Sequence, residues 1–339
     1  MLAAGTLVPG LLHWCPMSRP VLPLAIACAF ASLAIATETR AWAAALEGAA
    51  PETVAPKVLV GVTRDRARRP RVVWDPSWQR VRPWEYPAIA GLYAVDWYVR
   101  SHEPPPDRPS WEGNNAFDDT IRGWLRASSY QGRRVAATVS DDLVLAGTAF
   151  PFAVDLPVVM FIHGQPGVMW QMLMMDLEAN AVAGVVNNTL FHYGGRARPN
   201  TQSCNADASY DPYCGSPGDN ASFPSGHVLT IATAAGLVCV HHRYLPIYGS
   251  DAADTGSCVL MSAATVATGI ARIVADRHFA TDVLSGALIG FGSGYGLPWL
   301  LHYRTDDMRG SGKAGPSIAL LPMAGPGLVG LSVAGLASL

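Results

Sequence analysis

Lysine is almost missing from this sequence: Lys57 and Lys313 are the only two among 339 residues. Charge of any kind is sparse, at 15%, and the net charge is −2. A chain without a basic excess has no electrostatic footprint for nucleic acid, so that class of partner is excluded. The cations present are nearly all Arg. Polar residues are still too frequent for a transporter made wholly of spanning helices, because mean hydropathy reaches only +0.20. The hydrophobic set is nevertheless 50%, more apolar than a typical water-soluble enzyme. Cysteine is limited to six residues in three settings. Cys15 and Cys28 sit in an N-terminal apolar region, and Cys239 and Cys258 in apolar helical stretches. Cys204 and Cys214 share a polar loop, which a disulfide would pin in an oxidising compartment.

Taken in order, residues 1–44 read as an export segment. Arg19 precedes the apolar run Val21–Ala36, and Ala41-Trp42-Ala43 offers a small-x-small cleavage site; an uncleaved signal anchor is the competing reading. Residues 45–142 form an extension with a β-like run at 57–62, a short apolar helix Tyr86–Val99 and a loop broken by Pro104-Pro105-Pro106. An amphipathic helix Asp118–Ser128 follows, with Phe117, Ile121, Trp124 and Leu125 on one face. Trp111-Glu-Gly-Asn-Asn is either the edge of a substrate site or a capped surface loop.

From 143 to 303 the texture is helical, with segments Leu143–Ile162, Val168–Leu190, Gly226–Val240, Cys258–Val274 and Thr281–Leu301. Asp155, Asp176 and Glu178 interrupt the first two. Acids are costly in lipid and face a protein interior, so these segments make either a membrane bundle with a polar seam or a buried soluble bundle. His241-His242-Arg243 and Arg304 with Arg309 follow two of the helices on one side, which the positive-inside rule favours for a membrane bundle. The tail, 304–339, is rich in Gly and Ala, and Gly325-Pro326-Gly327 suggests a terminal hairpin.

Three islands carry the chemistry. In the third, His278 and Asp282 are four apart and share a helical face. Asp282 is positioned to accept from one ring nitrogen and leave the other as a nucleophile; the same pairing also occurs for structural reasons. Arg272 precedes His278 by six and can reach an anion there. The second island, Pro224-Ser225-Gly226-His227, is a helix start, where free N–H groups and the dipole favour an anion. His227 lies in the first turn, placed to give a proton to a leaving oxygen. Alone, this reads equally well as a capped helix. In the first island Arg198 and Pro199 end a helix, and Arg198 offers a planar fork for phosphate oxygens. Arg196 stands two residues earlier; an arginine pair there is also what a solvated helix end looks like. No convincing ligand cluster for a metal stands out.

Together the islands resemble the type 2 phosphatidic acid phosphatase superfamily, which also includes bacterial acid phosphatases and vanadium haloperoxidases. The family pattern is Lys-x6-Arg-Pro, then Pro-Ser-Gly-His, then Ser-Arg-x5-His-x3-Asp. Arg198-Pro199, Pro224 to His227, and Arg272, His278 and Asp282 match it. Phe191 stands at the Lys position and Ala271 at the Ser before Arg272. Loss of the Lys removes a charge from the oxyanion clamp; Arg196 is the candidate substitute and His192 a poorer one.

The resemblance implies an all-α, membrane-embedded helical bundle that needs no cofactor. His278 would attack phosphorus, oriented by Asp282, and His227 would protonate the leaving group. Arg198, Arg272, Ser225 and Gly226 would hold the phosphate oxygens. The substrate would be a lipid phosphate or diphosphate, reached from the periplasmic side of a bacterial inner membrane. Alternatives are a soluble periplasmic phosphatase of small phosphomonoesters, a catalytically weak phosphate- or lipid-binding relative, and a haloperoxidase, the one reading that calls for vanadate.

Overall fold

The computed structural model describes residues 71–111, 115–212 and 214–305, together with the backbone of 317–325 and 328–336. The expected export segment 1–44, the β-like run 57–62 and Pro326-Gly327 of the expected turn lie outside the described residues. Eight α-helices appear among them: α1 Glu85–His102, α2 Ala116–Leu125, α3 Tyr130–Phe150, α4 Pro166–Gly194, α5 Pro199–Ala206, α6 Gly226–Tyr244, α7 Asp251–Val274 and α8 Ala280–Phe291. Helices α3 and α8 continue through wider π-type turns as far as Ile162 and Tyr303. A terminal hairpin follows, β1 Ser317–Gly325 against β2 Leu328–Leu336, antiparallel with Gly325 opposite Leu328. The all-α reading therefore describes the core, with the hairpin added at the end.

Several helix boundaries differ from expectation, two of them for a plain local reason. Helix α3 starts at Tyr130 rather than 143. Ser129 caps it, its Oγ accepting from the Gly132 N–H at 3.1 Å, and polar residues then fill the first turns. Arg198-Pro199 begins a helix instead of ending one. Helix α4 stops at Gly194, and Gly195 takes a φ of +62° as helix terminators do. Pro199 then opens α5 with Arg198 at its N-cap, where the missing N–H of proline costs nothing.

Helix α6 is the axis of the bundle. From Ile231 to His242 its side chains are buried on every face, as befits a core helix, and α3, α4, α7 and α8 all pack on it. Helix α8 approaches through a stripe of glycines four apart. A Cβ at Gly290 would lie 2.2 Å from the Leu229 carbonyl oxygen, and one at Gly294 2.0 Å from that of Thr233. Only glycine permits backbones so close, the small-x-x-x-small device of tightly packed apolar helices.

The interrupting acids do face the interior. Asp176 and Asp155 are buried. Asp176 Oδ1 is 2.9 Å from His241 Nε2, whose Nδ1 meets the Tyr303 hydroxyl at 2.8 Å. Asp155 accepts from the Tyr248 hydroxyl at 2.7 Å. The outer faces are the apolar ones: Leu145 on α3, Leu260 and Val266 on α7 and Leu284 and Leu288 on α8 are all exposed. Two disulfides form among the described residues. Cys204–Cys214 closes the polar loop as the sequence suggests, and Cys239–Cys258, which it did not suggest, joins α6 to α7.

Candidate active site

The three islands meet where α4 ends and α6 and α8 begin. The left-handed Gly195 turns the chain so that Arg196 points inward, fully buried. Its Nη2 reaches Asp118 Oδ2 at 2.8 Å, and its Nη1 bonds Thr281 Oγ1 at 2.7 Å as well as the Asp282 carboxylate. The guanidinium lies between the rings of Trp111 and Phe279, 4.7 and 4.5 Å from their centroids. Arg196 is the candidate substitute for the missing Lys on the phosphate. The structure puts it elsewhere, as the tie between two carboxylates beneath the site. His192 is committed too: it is buried, with Nδ1 2.8 Å from the Asn188 carbonyl.

Arg198 fixes its backbone by donating its N–H to the Asp219 carbonyl at 2.7 Å. Its guanidinium is driven down to about 10 by burial and then by the nearby Arg277. Its Nε is buried without a protein acceptor among the described residues. The same holds for Nε of Arg272 and for Oγ of Ser225. Ser225 occupies the N-cap of α6, yet its hydroxyl makes no cap bond. Three buried donors are thus left without partners where two cationic side chains crowd a helix N-terminus. A bound ligand is one way to complete such donors, and the chemistry of this set suits an oxyanion.

His278 is buried, with Nδ1 2.8 Å from the Ser222 carbonyl oxygen. A carbonyl can only accept, so Nδ1 carries the hydrogen and Nε2 presents a lone pair. Burial, then the charges of Arg198 and Arg272, hold the imidazole well below its ordinary value, which keeps it neutral and nucleophilic. Asp282 was expected to orient this ring directly. It stands 3.9 Å from Nδ1, beyond hydrogen-bond reach. Its carboxylate accepts instead from the Ser222 hydroxyl at 2.6 Å and the Phe279 N–H at 2.9 Å. Asp282 therefore secures the loop whose carbonyl orients His278, acting one residue removed.

His227, in the first turn of α6, is partly exposed at the mouth. Its Nε2 lies 2.8 Å from Asp141 Oδ1 on α3. The same carboxylate oxygen is 3.7 Å from Nη1 of Arg272, which also reaches Ser140 Oγ at 3.3 Å. Sequence reading missed Asp141, as it missed Asp118, Ser222 and Asp276. Asp276 receives a forked ion pair from Arg122 on α2, at 2.7 and 2.9 Å, and the Tyr210 hydroxyl at 2.8 Å. That clamp holds the turn between Arg272 and His278, where Asp276 has a φ of +58°. The signals that could have pointed to these acids are the adjacent pair Asp141-Asp142 inside an apolar helix and the cap sequence Asn115-Ala-Phe-Asp118.

Phe191 shares a face of α4 with Asn187, one turn earlier, and Asn187 abuts the start of α6: a Cβ on Gly226 would sit 3.2 Å from its Oδ1. An amide and an aromatic ring thus stand where a Lys is expected. Among the described residues one group is close enough to hold a cation, Glu85, Glu178 and His302. It belongs to another part of the bundle, where Arg82 already pairs with Glu85 at 2.7 Å.

A helical bundle that gathers two buried arginines, an unpartnered hydroxyl and a helix N-terminus around a neutral histidine has the chemistry to hold an oxyanion. Residues 173–306 match the model of the PAP2 superfamily. The match runs from α4 to the end of the last helix, so α1 to α3 lie outside it. A comparison with curated proteins finds no match. Among solved structures, the first transmembrane PAP2 type phosphatidylglycerolphosphate phosphatase from Bacillus subtilis is similar, with 19% identity and a TM-score of 0.40. That alignment covers 62% of this chain and 94% of the other.

Proposed function

We propose that this protein is a phosphatase that hydrolyses phosphomonoesters, lipid phosphates foremost, through a phosphohistidine. The observation that carries the reading is the set of unpartnered buried donors, Arg198 Nε, Arg272 Nε and Ser225 Oγ, beside the neutral His278. The PAP2 match supports a phosphatase in general. In the first step Nε2 of His278 attacks phosphorus while the bond to the leaving oxygen breaks, and His227 gives that oxygen a proton. Arg198, Arg272, Ser225 and the Gly226 N–H hold the equatorial oxygens as charge redistributes. In the second step His227 takes a proton from water, the water oxygen attacks phosphorus, and the phosphorus–nitrogen bond breaks to release phosphate. None of these steps calls on a metal.

A membrane setting is part of the proposal. Two helices, Tyr130–Ile162 and Asp251–Val274, have the length and apolarity to cross a bilayer. Exposed aromatic residues mark both ends of α1, Trp84 at one and Trp97 with Tyr98 at the other. They are about 20 Å apart along the axis and resemble interfacial belts. The Cys204–Cys214 bridge lies in the loop beside the site and favours an oxidising, periplasmic side for it.

The test is hydrolysis of phosphatidic acid and of p-nitrophenyl phosphate by the wild type and by His278→Ala. Wild-type turnover, loss of roughly 10⁴-fold or more in the variant and acid-labile phosphate trapped on His278 are expected. Equal phosphate release by the two proteins would refute the mechanism, and bromide oxidation with vanadate and peroxide would replace it with the haloperoxidase reading.

A further inference from the structure

The phosphate grip explains what is common to every substrate of such a site; Asp141 bears on what differs. It comes from α3, outside the matched family region. One oxygen of its carboxylate faces both His227, at 2.8 Å, and Arg272, at 3.7 Å. Its side chain is 60% exposed, so it lines the mouth rather than the floor. The leaving oxygen must pass His227 to receive its proton, and it therefore departs beside this carboxylate.

We propose that Asp141 selects the leaving group, admitting monoesters of neutral alcohols and rejecting diphosphates. The inference rests on the phosphatase reading and names its substrate class. When a monoester is cleaved, the departing group is a neutral alcohol, whose newly protonated hydroxyl can donate to the free lone pairs of Asp141. When a diphosphate is cleaved, the departing group is itself a phosphate, whose oxygens would crowd a carboxylate at close range. The two cations beside that carboxylate are both committed: His227 gives its proton to the leaving oxygen and is then neutral, and Arg272 is shared with the bound phosphate, so neither neutralises a second one. A fixed like charge beside the wrong ligand is how specific sites reject competitors.

The experiment compares a prenyl monophosphate with the diphosphate of the same chain, in the same mixed micelles. The proteins are the wild type, Asp141→Asn, Asp141→Glu and Asp142→Asn. The wild type should prefer the monophosphate. Asp141→Asn should move the kcat/KM ratio towards the diphosphate by roughly 10- to 100-fold, mainly by lowering KM for the diphosphate. Asp141→Glu should retain the preference, and Asp142→Asn should leave the ratio where it was. Unchanged thermal melting of Asp141→Asn separates selectivity from a folding defect. An unchanged ratio in Asp141→Asn, or a wild type that favours the diphosphate, overturns the proposal. A wild type that cleaves neither compound overturns the phosphatase reading itself and this selectivity with it.

Discussion

Ser225 separates binding from stability more cleanly than any other residue of the site. Its hydroxyl is buried and bonds to nothing among the described residues. Removing such a group relieves an unmet desolvation cost instead of breaking a native bond. Ser225→Ala should therefore melt at or above the wild-type temperature while turnover falls by roughly 10- to 100-fold. Calorimetry beside phosphatase kinetics checks both halves; equal losses in the two would show a structural serine. Phe191 gives the opposite experiment. Neither Arg196 nor His192 is placed to supply the missing cation. Phe191→Lys should restore it and raise kcat by roughly 10-fold or more. No gain would show that Asn187, beside Gly226, already completes the grip.

At the scale of elements, the site is assembled by ties between segments far apart in the chain. Arg196 joins α2, through Asp118, to the first turn of α8, through Asp282. Asp118 also accepts from the N–H and hydroxyl of Thr281, at 2.9 and 2.7 Å. Removing the cation would strand two buried carboxylates, which typically costs about 3–5 kcal/mol. Arg196→Ala should show that loss in chemical denaturation, with activity falling because the Ser222–His278 loop loosens. A variant that unfolds like the wild type yet loses phosphate affinity would return Arg196 to the phosphate-binding role. The glycine stripe on α8 works at the same scale, because it lets the helix bearing Asp282 lie against the backbone of the helix bearing His227.

At the scale of the whole molecule, the described residues place apolar side chains on the outer faces as well as in the core. Acids and histidines such as Asp176 and His241 are interior, while Leu260, Leu284 and Leu288 face outward. Exposed apolar surface on this scale needs a partner, and a bilayer fits the helix lengths. The protein should stay with membranes through a carbonate wash and need detergent for extraction; release by osmotic shock would make it a soluble periplasmic enzyme.

Taken alone, the sequence determined the helical core and which residues make up the candidate phosphate grip. Apolar periodicity marks long helices, and the spacing of Arg198, Ser225, Arg272 and His278 is local and chemically specific. It also placed the Cys204–Cys214 bridge, whose partners are close in the chain. It could not tell that Arg196 turns away from the site, because a residue two positions from Arg198 looks equally available until its carboxylate partners are known. It could not show that a Ser222 carbonyl, not Asp282, orients His278, since backbone groups leave no trace in residue identity. Asp141 was hidden for the same kind of reason: it lies 86 residues from His227. Only folding brings the two within a hydrogen bond, because packing between helices, unlike periodicity within one, is decided by the whole chain at once.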